Sequence, residues 1–296
     1  MIPADLWKDN ILYQSKKLIN IYTTELKSLK MHDYAVSYSG KGTGAIGGEG
    51  SDDTKIHFSE RFLASSARLQ YLIFDPEQDF LKISIDLKST FGSGHISLLD
   101  IPCGTGAGVL SLLCNLAEIR HSSKLPRLPL FINIMAGDYS QTALNIYINL
   151  LNDIKPELEK ELIFINYQTF LWNATDMQST KLLLKGWLKD EEEYEEFYIL
   201  MSAFSGDGVK LYRSFEESFK FIQNYVCDIH VTTILIEPNT NDAKRYFEMF
   251  SKTFEIFMKW LKGKEISTGK KRFKWHNAIN NNIAQSDILV KQYSRV

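Results

Sequence analysis

The sequence predicts an α/β protein: a doubly wound, mostly parallel sheet of seven strands ending in a C-terminal antiparallel hairpin, preceded by a helical N-terminal cap. Three observations carry this. From residue 94 onward, apolar runs alternate with segments of helical period, strand then helix, five times over. Runs such as "HISLLDI" and "VTTILIEP" set consecutive apolar residues side by side, as strands buried between two helix layers do. The first of them enters a glycine-rich turn, "PCGTGAG", that opens directly into a helix.

The elements follow in order. Residues 5–30 place Leu6, Ile11, Leu12, Leu18, Ile19, Tyr22 and Leu26 near a 3.6 period, which predicts an amphipathic helix. "SYSGKGTGAIGGEGSDD", residues 37–53, is glycine-rich and reads as a loop, either a lid over a site or a connector. A helix is expected from Ser59 to about Phe74, ended near Pro76, and a shorter one over 77–89. The strand–helix units are then 95–101 with 106–121, 128–138 with 140–154, 162–170 with 178–188, 197–204 with 211–226, and 231–238 with 240–263. "KKRFKWHNA" and "SDILVKQYS" form the terminal hairpin. The chain divides into a cap with its glycine-rich loop, residues 1–90, and a core, residues 91–296.

Composition narrows the class. At 296 residues the chain is long enough for a self-sufficient core. A net charge of −2 gives no general attraction to nucleic acid. The three cysteines, Cys103, Cys114 and Cys227, suggest neither a zinc site nor a disulfide framework, and a reducing, cytoplasmic setting is expected. The first residues, with Asp5, Lys8, Asp9, Lys16 and Lys17, do not read as a signal peptide, and no apolar run of about 18 residues predicts a membrane span. The six histidines are scattered, so no metal is expected.

The stretch "SLLDIPCGTGAGVL", residues 97–110, carries the functional reading. No lysine follows its glycines, so it is not a triphosphate-binding P-loop. Gly104 and Gly106 are followed by Val109 where a dinucleotide fingerprint requires glycine, which disfavours a nicotinamide-dependent enzyme. Asp100 at the strand end suits a cationic ligand and repels a phosphate. Glycine is wanted where a ligand approaches the backbone too closely for a Cβ.

"LLDIPCGTGAG" resembles the cofactor loop of the class I, Rossmann-like, S-adenosylmethionine-dependent methyltransferase family, with Pro102 in place of the first glycine. "IMAGDYSQTAL" is similar to the family's second motif, and "NATDM" lies where its third is found. The resemblance covers roughly residues 91–296, the terminal hairpin included. It implies that Asp100, Pro102, Cys103, Gly104, Thr105 and Gly106 cradle S-adenosylmethionine. It further implies that Asp138 takes the ribose hydroxyls with Tyr139 beside it, that Asp176 meets the adenine amino group, and that Met177 packs on the ring. Taken singly, Asp100 is also a helix-capping acid, Asp138 a turn residue and Cys103 a small residue lining the turn. Ser140 is an N-cap for the following helix.

The methyl acceptor is not legible: RNA, protein and small molecules stand open. "MSAFSGDG" after the fourth strand is not the motif of enzymes that methylate exocyclic amines of bases, and Cys227 is not placed as the catalytic thiol of cytosine-5 enzymes. Ser202 and Asp207 are candidates to orient a nucleophile, and Asp207-Gly208 is equally a turn; Glu237 is a candidate base or a helix cap. Arg61 and Arg68, seven residues apart, share a helix face, available to an anionic group of cofactor or substrate or to structural ion pairs. Residues 259–278 interleave lysines with Trp260, Phe273, Trp275 and His276, which reads as an RNA-binding surface or a solvated linker with its aromatics turned to the core. The acidic run 190–196 reads as a solvated connection. A different class of function, a non-catalytic methyltransferase-like scaffold acting through a partner protein, is the alternative.

Overall fold

The computed structural model describes residues 2–40, 50–189, 193–202, 209–226, 228–238 and 264–294. Its strands are β1 (Trp7–Lys8), β2 (Ile11–Tyr13), β3 (Gly94–Asp100), β4 (Leu130–Asp138), β5 (Ile163–Leu171), β6 (Glu196–Ser202), β7 (Val231–Glu237), β8 (Lys264–Asn277) and β9 (Asn282–Ser294). Its helices are α1 (Lys16–Ser28), α2 (His32–Ser37), α3 (Ser51–Phe74), α4 (Leu81–Thr90), α5 (Ala107–His121), α6 (Gln141–Glu159), α7 (Met177–Trp187) and α8 (Val209–Tyr225). The expected helix over 240–263, the core of the glycine-rich loop and the acidic residues 190–192 lie outside the described residues.

All strands join one sheet in the order β1-β2-β8-β9-β7-β6-β3-β4-β5. The five strands β7, β6, β3, β4 and β5 are parallel, and β9 enters antiparallel between β7 and β8. Counting from β3, the order is 3-2-1-4-5-7-6, which differs from the dinucleotide-binding order 3-2-1-4-5-6 by the inserted last strand. The topological switch point lies between β3 and β6.

The unbroken apolar runs are explained by two cores. Leu98, Ile134, Leu200 and Ile234 face one cluster, under α1, α3, α5 and α6. Their neighbours Leu99, Met135, Ile199 and Leu235 face the other, under α7 and α8. Successive residues of one strand thus reach opposite helix layers, and the few polar side chains between them, Ser97, Thr232 and Thr233 among them, are buried too.

Two strands join the seven that were predicted, and they correct the N-terminus. The expected helix over 5–30 begins only at Lys16, capped by Ser15. Asp9 and Asn10 both take left-handed backbone, φ 53° and 59°, and form the two-residue loop of a tight hairpin. β2 then pairs in parallel with the edge of β8. The helical spacing of the apolar residues was coincident: a turn dipeptide and an open sheet edge outweighed it. The hairpin is held to α3 by Gln70 Nε2, which donates to the Tyr13 carbonyl at 2.7 Å, and by Gln14 Nε2, which donates to the Leu63 carbonyl at 2.8 Å.

α3 is longer than predicted, reaching back to Ser51. It packs on α5 beneath and on the cap beside it, where Tyr22 stacks on Phe62 at 4.9 Å and meets Phe58 edge-on at 5.0 Å. The basic segment is strand for the most part. Phe273 and Trp275 are buried, Lys271 pairs with Glu77 and Asp79, and Arg272 pairs with Asp287. Phe273 and Trp275 therefore face the core, as one of the two readings expected; His276 is half-buried, and Trp260 lies outside the described residues. No helix among the described residues is long and apolar enough to cross a membrane.

Candidate functional site

The turn after β3 lies at the carboxyl edge of the sheet, beside the switch point, where open α/β sheets bind ligands. It is stitched to the end of β4. The Cys103 amide donates to the Gly137 carbonyl at 2.9 Å, the Gly106 amide to the Cys103 carbonyl at 2.9 Å, and the Gly104 amide to Asp138 Oδ2 at 2.9 Å. Asp138 Oδ1 accepts from the Ser140 amide at 2.9 Å, and Ser140 Oγ caps α6 by accepting from Ala143 at 3.2 Å. Asp138 is thus the peg that holds the turn, a use the motif alone did not specify. Burial pushes its carboxyl above the usual range, against the lowering effect of these backbone amides.

The glycines have separate reasons. Gly106 has φ +86°, and a Cβ there would stand 2.2 Å from the ring of Tyr147. Gly104 has φ +51°, and a Cβ there would meet nothing within 4 Å. That open space is what a ligand needs. Gly108 lets the first turn of α5 approach β6, since a Cβ would lie 3.3 Å from that of Ser202.

Asp100 is buried, and burial first, with Asp138 adding to it, pushes its carboxyl up to about 8, while the Tyr147 hydroxyl beside it works against the rise. Asp100 Oδ2 and the Tyr147 hydroxyl are both buried and close no hydrogen bond of good geometry. A buried carboxyl oxygen left without a partner is costly. A cationic amino group is the kind of ligand that relieves it, so the donor set fits S-adenosylmethionine. Cys103 is buried, and burial followed by the charges of Asp138 and Asp100 keeps its thiol protonated; it lines the turn and is no nucleophile. Pro102 and Thr105 are half-buried on the same turn.

Beyond Asp138, the rim is apolar and open. Tyr139, Leu171 and Met177 are 50%, 56% and 49% exposed, at the ends of β4 and β5 and the start of α7. Asp176 is exposed and accepts from the Gln178 amide at 2.9 Å as the N-cap of α7. On the other side of the turn, Ser202 is half-buried at the end of β6. Glu237 is buried at the end of β7, and its charge is felt by Arg68. Asp207 and Cys227 lie outside the described residues.

The structure adds Tyr147, Leu171 and α3 to the site. Nothing in the local sequence marks Tyr147, because it reaches the turn from the second turn of α6. α3 runs along the rim: Thr54 Oγ1 lies 3.3 Å from Ser140 Oγ, and Ser66 Oγ donates to the Ala107 carbonyl at 3.2 Å. Farther along, Arg68 Nε donates to the Asp287 carbonyl at 2.9 Å. Burial lowers the Arg68 guanidinium to about 10 even with Glu237 and Asp287 opposing. Arg68 thus has a structural role, held by a backbone carbonyl and the Ser65 hydroxyl where an ion pair was expected.

No family model and no curated protein matches the chain. Among solved structures it is similar to a candidate RNA methyltransferase from Pyrococcus horikoshii, at 10% identity over 78% of this chain and 83% of that one, with a TM-score of 0.38. It is similar to precorrin-6y C5,15-methyltransferase from Geobacter metallireducens, at 8% identity over 73% and 87%, TM-score 0.38. It is also similar to M. jannaschii TYW2 in complex with AdoMet, at 13% identity over 75% and 76%, TM-score 0.33. Likeness at this level is one of outline and carries no argument about chemistry.

Proposed function

We propose that the protein binds S-adenosylmethionine at the turn after β3 and transfers its methyl group to an acceptor. The observation that supports this best is the pairing of an open glycine turn, pegged by Asp138, with the buried Asp100 Oδ2 that lacks a hydrogen-bond partner. S-adenosylmethionine, when bound, supplies a methyl group on a sulfonium, already reactive toward an in-line nucleophile. The chain's own residues then have three tasks. Asp100 balances the charge of the amino group, and Asp138 keeps the Gly104 backbone in place with lone pairs left for a hydroxyl. Tyr139, Leu171 and Met177 offer the apolar rim a flat base would cover. Catalysis of this kind is mainly proximity and orientation, so it needs no strong acid–base pair at Ser202 or Glu237.

Calorimetric titration with S-adenosylmethionine and S-adenosylhomocysteine tests the reading, with NADH and ATP as controls. Micromolar binding of the adenosyl compounds alone is expected, weakened at least a hundredfold in Asp138→Ala. Removing the carboxylate strands two amides, at about 1.5–3 kcal/mol for each charged hydrogen bond. A folded protein that binds neither adenosyl compound would refute it and favour the scaffold.

A further inference from the structure

α3 carries a polar stripe whose place in the fold has a functional meaning. Thr54, Arg61, Ser65 and Arg68 recur at steps of seven, four and three and so share one face of the helix. The ends of the stripe are pinned. Thr54 meets Ser140 at the end of β4, and Arg68 meets Asp287 in β9. From Thr54 to Arg68 the helix rises about 21 Å at about 1.5 Å per residue. From β4 to β9, across β3, β6 and β7, the sheet extends about 19 Å at about 4.8 Å per strand. The two spans agree, so this stretch of α3 crosses the carboxyl edge of the sheet. Arg61 lies between Thr54, which meets Ser140 just after β4, and Ser66, which meets the first residue of α5 directly after the glycine turn.

Arg61 is exposed and closes no hydrogen bond or ion pair among the described residues. The other charged side chains of this stretch are engaged. Lys55 pairs with Asp52 at 3.0 Å, Glu60 accepts from the Tyr34 hydroxyl at 2.6 Å, and Arg68 is held as above. His57, one turn earlier on α3, and Tyr38 both feel the charge of Arg61 and, opposing it, that of Glu60, whose carboxylate is engaged by the Tyr34 hydroxyl. Tyr38 is fastened to the tip of the β8–β9 arm, where Asn280 Nδ2 donates to its carbonyl at 3.0 Å. Among the described residues this guanidinium is therefore uncommitted, on the rim beside the glycine turn, with an imidazole and a phenol within reach of its charge.

We propose that the methyl acceptor carries a single oxyanion, a carboxylate or a phosphate, and that Arg61 binds it with His57 and Tyr38 alongside. The inference rests on the methyl-transfer reading above and names the acceptor class for it. A guanidinium matches both oxyanions with two parallel N–H donors. One such group holds one anion. A nucleic-acid backbone requires a track of cations, and the neighbouring cations of α3 are already paired.

The test is titration of the full chain, free and loaded with S-adenosylhomocysteine, with inorganic phosphate and separately with acetate. Millimolar binding of at least one anion is expected, tighter in the loaded protein. It should weaken tenfold or more in Arg61→Gln and recover in part in Arg61→Lys, with S-adenosylhomocysteine affinity unchanged within twofold in both variants. The tighter of the two anions identifies the acceptor's group. Equal anion binding by Arg61→Gln and the parent, or none by the parent, overturns the proposal. Failure of S-adenosylhomocysteine to bind the parent would be seen in its own titration and would overturn the methyl-transfer reading instead.

Discussion

Gly106→Ala is expected to destabilise the protein by about 3 kcal/mol and to abolish S-adenosylmethionine binding. Left-handed backbone costs a residue with a Cβ about 1–2 kcal/mol. The new methyl would also sit 2.2 Å from the Tyr147 ring, which is fully buried and has nowhere to retreat. Overpacking of that kind costs about 1–3 kcal/mol more. Gly104→Ala is the control, since its φ of +51° carries the backbone cost while its Cβ meets nothing. It should lose only about 1 kcal/mol, yet it too should weaken ligand binding, because the open space is where the ligand would lie. Urea denaturation and calorimetry on both variants measure this. Equal destabilisation of the two would show that the approach of Tyr147 is not what requires glycine at 106.

The second large effect is on pH. Asp100 holds its proton up to about pH 8 in the folded protein, against an ordinary value of 3.8. A cationic amino group requires the ionised carboxylate. Binding of S-adenosylmethionine near pH 7 should therefore release about one proton, and affinity should rise about tenfold per unit from pH 6 toward pH 8. Above that the ligand's own amino group, with a typical value of about 7.7–8.0, loses its charge and the gain ends. Titrations in buffers of different ionisation enthalpy count the proton directly. Asp100→Asn should bind far more weakly and without this pH dependence.

Stability moves the other way. Between pH 4 and pH 8 the folded state keeps a proton that the unfolded state has given up. Stability is full at the acid end and falls by about 1.4 kcal/mol per unit as pH rises to 8. The raised carboxyl of Asp138 acts in the same direction. Asp100→Asn should flatten the profile. A parent protein whose stability rises from pH 5 to pH 8 would show that Asp100 is not a buried, protonated acid.

What was legible in the sequence is what depends on neighbours in the chain. The parallel strands were visible because burial on both faces leaves an unbroken apolar run. The turn at 102–106 was visible because left-handed backbone demands glycine at a fixed distance from a strand end. Ser140 was visible as a helix start, since capping is satisfied within a few residues; Asp176, expected beside an adenine amino group, proves to be the N-cap of α7.

Tertiary structure alone decided the rest, because it depends on which surfaces meet. Trp7 to Tyr13 became strand when the edge of β8 offered it partners, against its helical spacing. Asp138 could be placed at a strand end from sequence, but only the packing of β3 beside β4 turns its carboxylate onto the Gly104 amide. Tyr147 acquires its role because α6 lies beneath the turn. Arg61 and Arg68 are equivalent by spacing on one helix. Long-range contact makes Arg68 a strut to β9 and leaves Arg61 over the rim, for a hydrogen bond to a carbonyl 219 residues away has no local signature.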